Sequence, residues 1–104
     1  MSEIQRVATI DEIPVGGRKS LVFDERAVLL FRIGDKYYAV EDVCSHDGQP
    51  LTDGSLAGTA VECPRHGARF DVCTGRALCM PAVEPIATFE VLLQGHDICL
   101  RSPA

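Results

Sequence analysis

Nine glycines and six prolines are spread along a chain of 104 residues, and they leave no stretch long enough for a sustained helical period. Between the breaks lie short runs rich in Val, Ile, Leu, Phe and Tyr, side chains that suit a pleated, half-buried surface. Ile4–Thr9 reads as a first strand, and Asp11–Pro14 has room for at most one turn of helix. Lys19–Phe23 and Ala27–Ile33 form a hairpin around Asp24-Glu25-Arg26, and Gly34-Asp35 turns the chain into Lys36–Val40. Ala60–Glu62 and Arg69–Asp71 are short strands, and Thr88–Leu93 and Asp97–Arg101 make a last hairpin around Gln94-Gly95-His96. Strands at this spacing predict an all-β fold, a small antiparallel sandwich or barrel, in one domain covering residues 1–104. The stretches 41–59 and 63–87 hold most of the remaining Gly and Pro and read as two loop regions.

Those two regions carry the chemistry. The first contains Cys44-Ser45-His46-Asp47-Gly48 and the second Cys63-Pro64-Arg65-His66-Gly67, which is C-x-H, sixteen residues, then C-x-x-H. Thiolate and imidazole are good ligands for iron and for zinc, and a turn can present two of them to one site. A glycine closes each box, which lets the backbone bend closely around a metal group and frees N–H groups to point at sulfur. No nucleophile–base constellation accompanies the boxes, so an enzymatic reaction at this chain is not expected.

Composition removes other classes. The chain is 46% hydrophobic and 24% charged, with a formal net charge of −5. Phosphate binding needs clustered Lys and Arg, so nucleic acid is not expected as a partner. Five cysteines, an odd number, argue for thiols or metal ligands over a disulfide framework. Met1–Arg6 lacks the cationic and apolar segments of a signal peptide. No run approaches the ~20 apolar residues that span a bilayer. A cytoplasmic protein without a membrane anchor is the expectation.

The paired boxes, with Pro64 and Gly67, resemble the signature of Rieske proteins. The resemblance implies a small β fold whose two Gly/Pro-rich loops form a cluster-binding subdomain. It also implies one [2Fe–2S] cluster, with Cys44 and Cys63 on one iron and His46 and His66 on the other, nearer the surface. Imidazoles in place of two thiolates raise the potential above that of all-cysteine ferredoxins.

The departures narrow the resemblance. Respiratory-chain Rieske proteins carry an extra cysteine in each box and join the two in a disulfide; here Gln49 and Arg65 stand in those places. Those proteins also carry Ser and Tyr hydroxyls that hydrogen-bond cluster sulfurs, where this chain has Ala68 and Phe70. Losing these donors disfavours the more negative reduced state, so a potential near the low end of the Rieske range, roughly −150 mV, is expected.

In these features the chain is similar to the soluble ferredoxins of bacterial ring-hydroxylating dioxygenase systems. That likeness implies a monomeric carrier, passing single electrons from a flavoprotein reductase to a terminal oxygenase in transient encounters. It also implies a third, proline-containing loop over the cluster, for which Met80-Pro81-Ala82 is the candidate. Two alternatives stand beside it. One is a zinc-stabilised binding module, although zinc sites often use tighter C-x-x-C pairs. The other is a Rieske subunit of another enzyme, such as a nitrite-reductase-like assembly.

Among the remaining residues, Cys99 within Ile98-Cys99-Leu100 is expected in the core. Packing or exposure accounts for Cys73 and Cys79 ahead of ligation or a redox pair. His96 is read as a solvated turn residue, and Asp47 and Arg65 as solvent-facing neighbours of the ligands.

Overall fold

The computed structural model describes residues 4–44, 48, 50–64, 67–80 and 84–101. Within them the short apolar runs pair into two antiparallel sheets. The elements in order are β1 (Ile4–Thr9), a 3-10 turn (Ile10–Glu12), β2 (Arg18–Phe23), β3 (Arg26–Ile33), β4 (Lys36–Glu41), β5 (Leu56–Ala57), β6 (Ala60–Glu62), β7 (Arg69–Asp71), β8 (Ala77–Cys79), β9 (Thr88–Gln94) and β10 (Asp97–Arg101). A six-stranded sheet runs β1-β10-β9-β4-β3-β2 and is nearly closed, and a four-stranded sheet runs β5-β6-β7-β8. The all-β expectation therefore holds.

The turns explain the topology. Ile33 pairs with Lys36 around Gly34-Asp35, and Gln94 pairs with Asp97 around Gly95-His96, so both connections are two-residue loops that bring the next strand back antiparallel. The final loop is thus one residue shorter than expected, with Gln94 in the strand. The β2–β3 hairpin is also tighter than its sequence predicts. Phe23 pairs with Arg26, leaving only Asp24 and Glu25 in the turn, with φ of 54° and 63°. Two positive φ values give the backbone twist that suits a two-residue hairpin, but neither residue is the Gly or Asn that usually takes it.

The run Val28-Leu29-Leu30-Phe31 on β3 is fully buried on both faces. Alternation along the strand sends Val28 and Leu30 into one core, with Ile13, Phe23, Ala39, Phe89, Ile98 and Leu100, inside the six-stranded sheet. Leu29 and Phe31 point the other way, into a second core shared with Val61, Phe70 and Val72 of the four-stranded region. One strand therefore ties the larger sheet to the smaller. Cys99 is 3% exposed, as its apolar neighbours predict.

The stretches read as loops are partly strand, because β5 lies in 41–59, and β8 as well as β7 in 63–87. Both missed strands are two or three residues long and owe their conformation to pairing with β6 and β7. Beyond β7 the chain is fixed at Gly75 to the segment that leads into β9, where a Cβ would stand 2.2 Å from the Ile86 carbonyl and φ is +80°. Only glycine permits that approach. The Ile86 N–H donates to the Gly75 carbonyl at 2.8 Å. Among the described residues no helix is long and apolar enough to cross a membrane.

Candidate metal centre

The first box follows directly on β4. The Glu41 and Asp42 N–H groups donate to the carbonyls of Ala87 and Ala27, both at 2.9 Å, which holds the strand's end before it turns. The second box follows β6, and the Cys63 N–H donates to the Ala68 carbonyl at 2.6 Å. Each box then closes in the same way. The Gly48 N–H donates to the Cys44 carbonyl at 2.8 Å, and the Gly67 N–H to the Cys63 carbonyl at 3.1 Å. Gly48 and Gly67 have φ of 75° and 74°. A Cβ at either would meet nothing within 4 Å, so backbone conformation and not crowding calls for glycine there. The two boxes are therefore matching five-residue turns, each running from a cysteine to a left-handed glycine. The sequence disguises the match by putting histidine at the third place in one and the fourth in the other.

Both cysteines are anchored from inside. Cys44 is 1% exposed and Cys63 0%, and they share the second core with Leu29, Phe31, Val40, Leu51, Val61, Ala68 and Phe70. Ala68 and Phe70 are themselves fully buried, so both positions that lack a hydroxyl face protein interior, not solvent.

Two braces outside the boxes were not legible as site residues. Asp42, two residues before Cys44, accepts from the Leu51 N–H on Oδ1 at 2.6 Å and from the Thr52 hydroxyl on Oδ2 at 2.5 Å. Arg18 on β2 reaches across with Nη1, donating to the Thr52 carbonyl at 3.1 Å and the Gly54 carbonyl at 2.5 Å, while its guanidinium lies 5.0 Å from the Phe31 ring centre. The loop after the first box is thus gripped from two strands. An Asp at a strand end just before a ligand box is a usable signal for the first brace. Nothing local marks Arg18, which is 34 residues from Thr52.

His46, His66, Ser45, Asp47, Gln49, Arg65, Pro81 and Ala82 lie outside the described residues. Among the described residues no group of three or more His, Cys, Asp or Glu side chains comes together to hold a metal ion. Of the four expected ligands, Cys44 and Cys63 are described, and both line the same core.

Cys73 and Cys79 are exposed, so simple exposure accounts for both. Cys73 donates its N–H to Asp71 Oδ1 at 2.8 Å, and its thiol beside the Tyr38 hydroxyl pushes that phenol above its ordinary range, chiefly through their hydrogen bond. Cys79 Sγ lies 3.5 Å from the Gly67 carbonyl. Met80 is 73% exposed. His96 is exposed in its turn, where its carbonyl accepts the Ile10 N–H at 2.9 Å.

Two buried thiols on matching turns, walled by apolar side chains, are donors that iron in an iron–sulfur cluster takes. The comparisons agree with that chemistry. The Rieske [2Fe-2S] domain profile matches residues 3–90. The ferredoxin component of a naphthalene 1,2-dioxygenase system from Pseudomonas aeruginosa is 37% identical over 89 residues, 86% of each chain. Among solved structures, the ferredoxin of carbazole 1,9a-dioxygenase from Nocardioides aromaticivorans IC177 superposes with a TM-score of 0.90 at 35% identity, over 97% of this chain and 98% of that one. A chain from a complex of reduced oxygenase and oxidised ferredoxin in carbazole 1,9a-dioxygenase superposes at 0.87, with 31% identity over 93% and 91%. Matching turns, buried thiols and a family profile that runs through both boxes lead to one assignment: the chain belongs to the Rieske [2Fe–2S] family, whose members carry one [2Fe–2S] cluster.

Proposed function

We propose that this chain works as a single domain, residues 1–104, carrying one electron at a time from a flavoprotein reductase to a terminal oxygenase. Cys44 and Cys63 hold the inner iron and His46 and His66 the outer one. The observation that carries the reading is the pair of matching cysteine-to-glycine turns, both seated in the core. Two such turns also suit a single tetrahedral ion, and the Rieske [2Fe-2S] profile over residues 3–90 is what favours the two-iron group. The shared second core, which draws side chains from both sheets, supports treating the chain as one unit.

The cluster supplies a reversible one-electron couple; the protein supplies the surroundings. Leu51, Val61 and Phe70 keep water from the Cys44 and Cys63 sulfurs. Asp42 and Arg18 hold the loop after the first box, so that little rearrangement accompanies a change of charge. Ala68 and Phe70 offer no hydroxyl to sulfur, which leaves the oxidised state favoured and the potential low in the Rieske range. A low potential suits a donor that hands electrons onward. The protein is a carrier and not itself a catalyst. It acts as a monomer in the cytoplasm, where a reducing compartment keeps Cys73, Cys79 and Cys99 as thiols.

Anaerobic stopped-flow mixing tests this. Reductase and reduced nicotinamide are expected to bleach the protein by one electron per chain, and oxidised oxygenase to restore its colour. Failure of either step overturns the carrier assignment.

A further inference from the structure

The second box is bordered by apolar side chains that the fold turns outward. β8 is the edge of the four-stranded sheet. Arg69 pairs with Cys79 while the next residue, Phe70, pairs with Ala77, so Leu78 is the extra residue of a β-bulge. The bulge lets three neighbours do three things. Ala77 packs on the second core. Cys79 places Sγ 3.5 Å from the carbonyl of Gly67, the glycine that closes the second box. Leu78, released from pairing, is 48% exposed, and Met80 is 73% exposed.

A single exposed leucine is ordinary. An edge strand can also use a bulge or its own shortness merely to avoid pairing with other chains, a role that does not call for large apolar side chains in solvent. Here the bulge presents Leu and, two residues on, Met. The polar surround is close by: Arg69, opposite Cys79, pairs with Glu62 at 2.9 Å, with side chains 59% and 37% exposed. Two apolar side chains beside a charged rim are the anatomy of a small, transient interface. The flexible thioether of Met80 suits a partner that must bind and leave quickly.

We propose that Leu78 and Met80 are the apolar anchor on which the electron-accepting terminal oxygenase docks. The inference rests on the carrier reading above. A partner taking an electron must sit against the boxes, and this strip adjoins the second one through Cys79 and Gly67. The oxygenase is favoured over the reductase because a similar ferredoxin system has been captured as an oxygenase–ferredoxin complex. In the step itself one electron leaves the reduced carrier and enters the oxygenase, and no bond forms or breaks.

The test compares the wild type, Met80→Gln and the double variant Leu78→Gln/Met80→Gln. Each is reduced and mixed with the oxygenases of the naphthalene and carbazole systems, and separately with ferricyanide, which needs no docking surface. The double variant is expected to lose at least ~10-fold in second-order rate to an oxygenase that the wild type reduces, and Met80→Gln at least ~3-fold. Its oxidation by ferricyanide and its EPR signal are expected to stay as in the wild type, and its reduction by the reductase to fall by less than the oxygenase step. Unchanged oxygenase rates, or an equal fall in the reductase step, would overturn the docking assignment. If the double variant loses its EPR signal, Met80→Gln alone decides, since its side chain stands mostly in solvent. A wild type that reduces neither oxygenase would overturn the carrier reading, and the patch with it.

Discussion

Replacing Asp42 by alanine removes the brace that ties the end of β4 to the loop after the first box. The structure sets the scale of the loss. Oδ1 accepts from the Leu51 N–H at 2.6 Å, and Leu51 is fully buried in the core that holds Cys44 and Cys63. Without an acceptor, that N–H is left unpaired at the core's edge, a cost of ~1–3 kcal/mol. The Thr52 hydroxyl on Oδ2 is better placed to turn to water, so its loss adds ~0.5–1 kcal/mol. Asp42 is only half-buried, which pulls both figures toward their lower ends. The sum is ~1.5–2 kcal/mol, or roughly 6–16 °C in Tm for a domain of this size. Asp42→Asn keeps one carbonyl acceptor for Leu51 and can donate to the Thr52 oxygen, so it is expected to cost ~1 kcal/mol. Thr52→Val, which removes only the outer bond, should cost less than ~1 kcal/mol. Melting is followed by far-UV circular dichroism and visible absorbance on protein of equal iron content. Visible bleaching of Asp42→Ala is expected to precede loss of strand signal, because the brace serves the loop before the sheet. If Asp42→Ala melts within ~2 °C of wild type, the loop is held by other means and the argument fails.

Three further outcomes follow from single features. Glu25 sits at φ 63° in the β2–β3 turn, a conformation costly for a side chain; Glu25→Gly is expected to stabilise the protein by ~0.5–1 kcal/mol, and an unchanged or lower Tm would show that the turn stores no strain. Phe70→Tyr returns a hydroxyl toward the site: a donor worth ~1 kcal/mol more to the reduced state raises the potential by roughly 40 mV, and voltammetry showing no rise would refute the role given to this position. The Glu12 carboxyl is held below its usual range, first by the Lys19 ammonium at 2.9 Å and then by the Thr9 N–H. Its folded pKa is the lower one, so its contribution is present above the ordinary carboxylate pKa and lost as pH falls through the lowered value. The stability gap between wild type and Glu12→Gln is therefore expected to close on acidification, and a gap that widens would contradict the sign.

What the sequence showed and what it hid divide along physical lines. β4 and β10 were legible because their apolar runs begin just after strong breakers, Gly34 and Gly95. The β2–β3 turn was misjudged by one residue because Glu25 carries a positive φ without being a residue type that advertises it. β5 and β8 were invisible, since Leu56-Ala57 and a bulged Ala77–Cys79 have no alternation of their own to read. The two boxes were the clearest signal, and of their four candidate ligands the described pair, Cys44 and Cys63, is buried. Their structural equivalence was not legible, because the Cys-to-Gly spacing is shared while the histidine position is not. The braces from Asp42 and Arg18 were hidden for a different reason: their partners are 9 to 36 residues away and exist only once the sheets have formed. Cys99 followed its neighbours into the core, whereas the exposure of Cys73 and Cys79 depends on where β7 and β8 end.

The ligand set is the central claim, and EPR of the dithionite-reduced protein tests it most directly. The wild type is expected to give a rhombic signal with the low average g of mixed histidine and cysteine ligation, with two irons and two acid-labile sulfides per chain. His46→Ala and His66→Ala should each abolish or reshape that signal. A spectrum unchanged in both variants, or a colourless protein holding one zinc per chain, would contradict the assignment of Cys44, His46, Cys63 and His66.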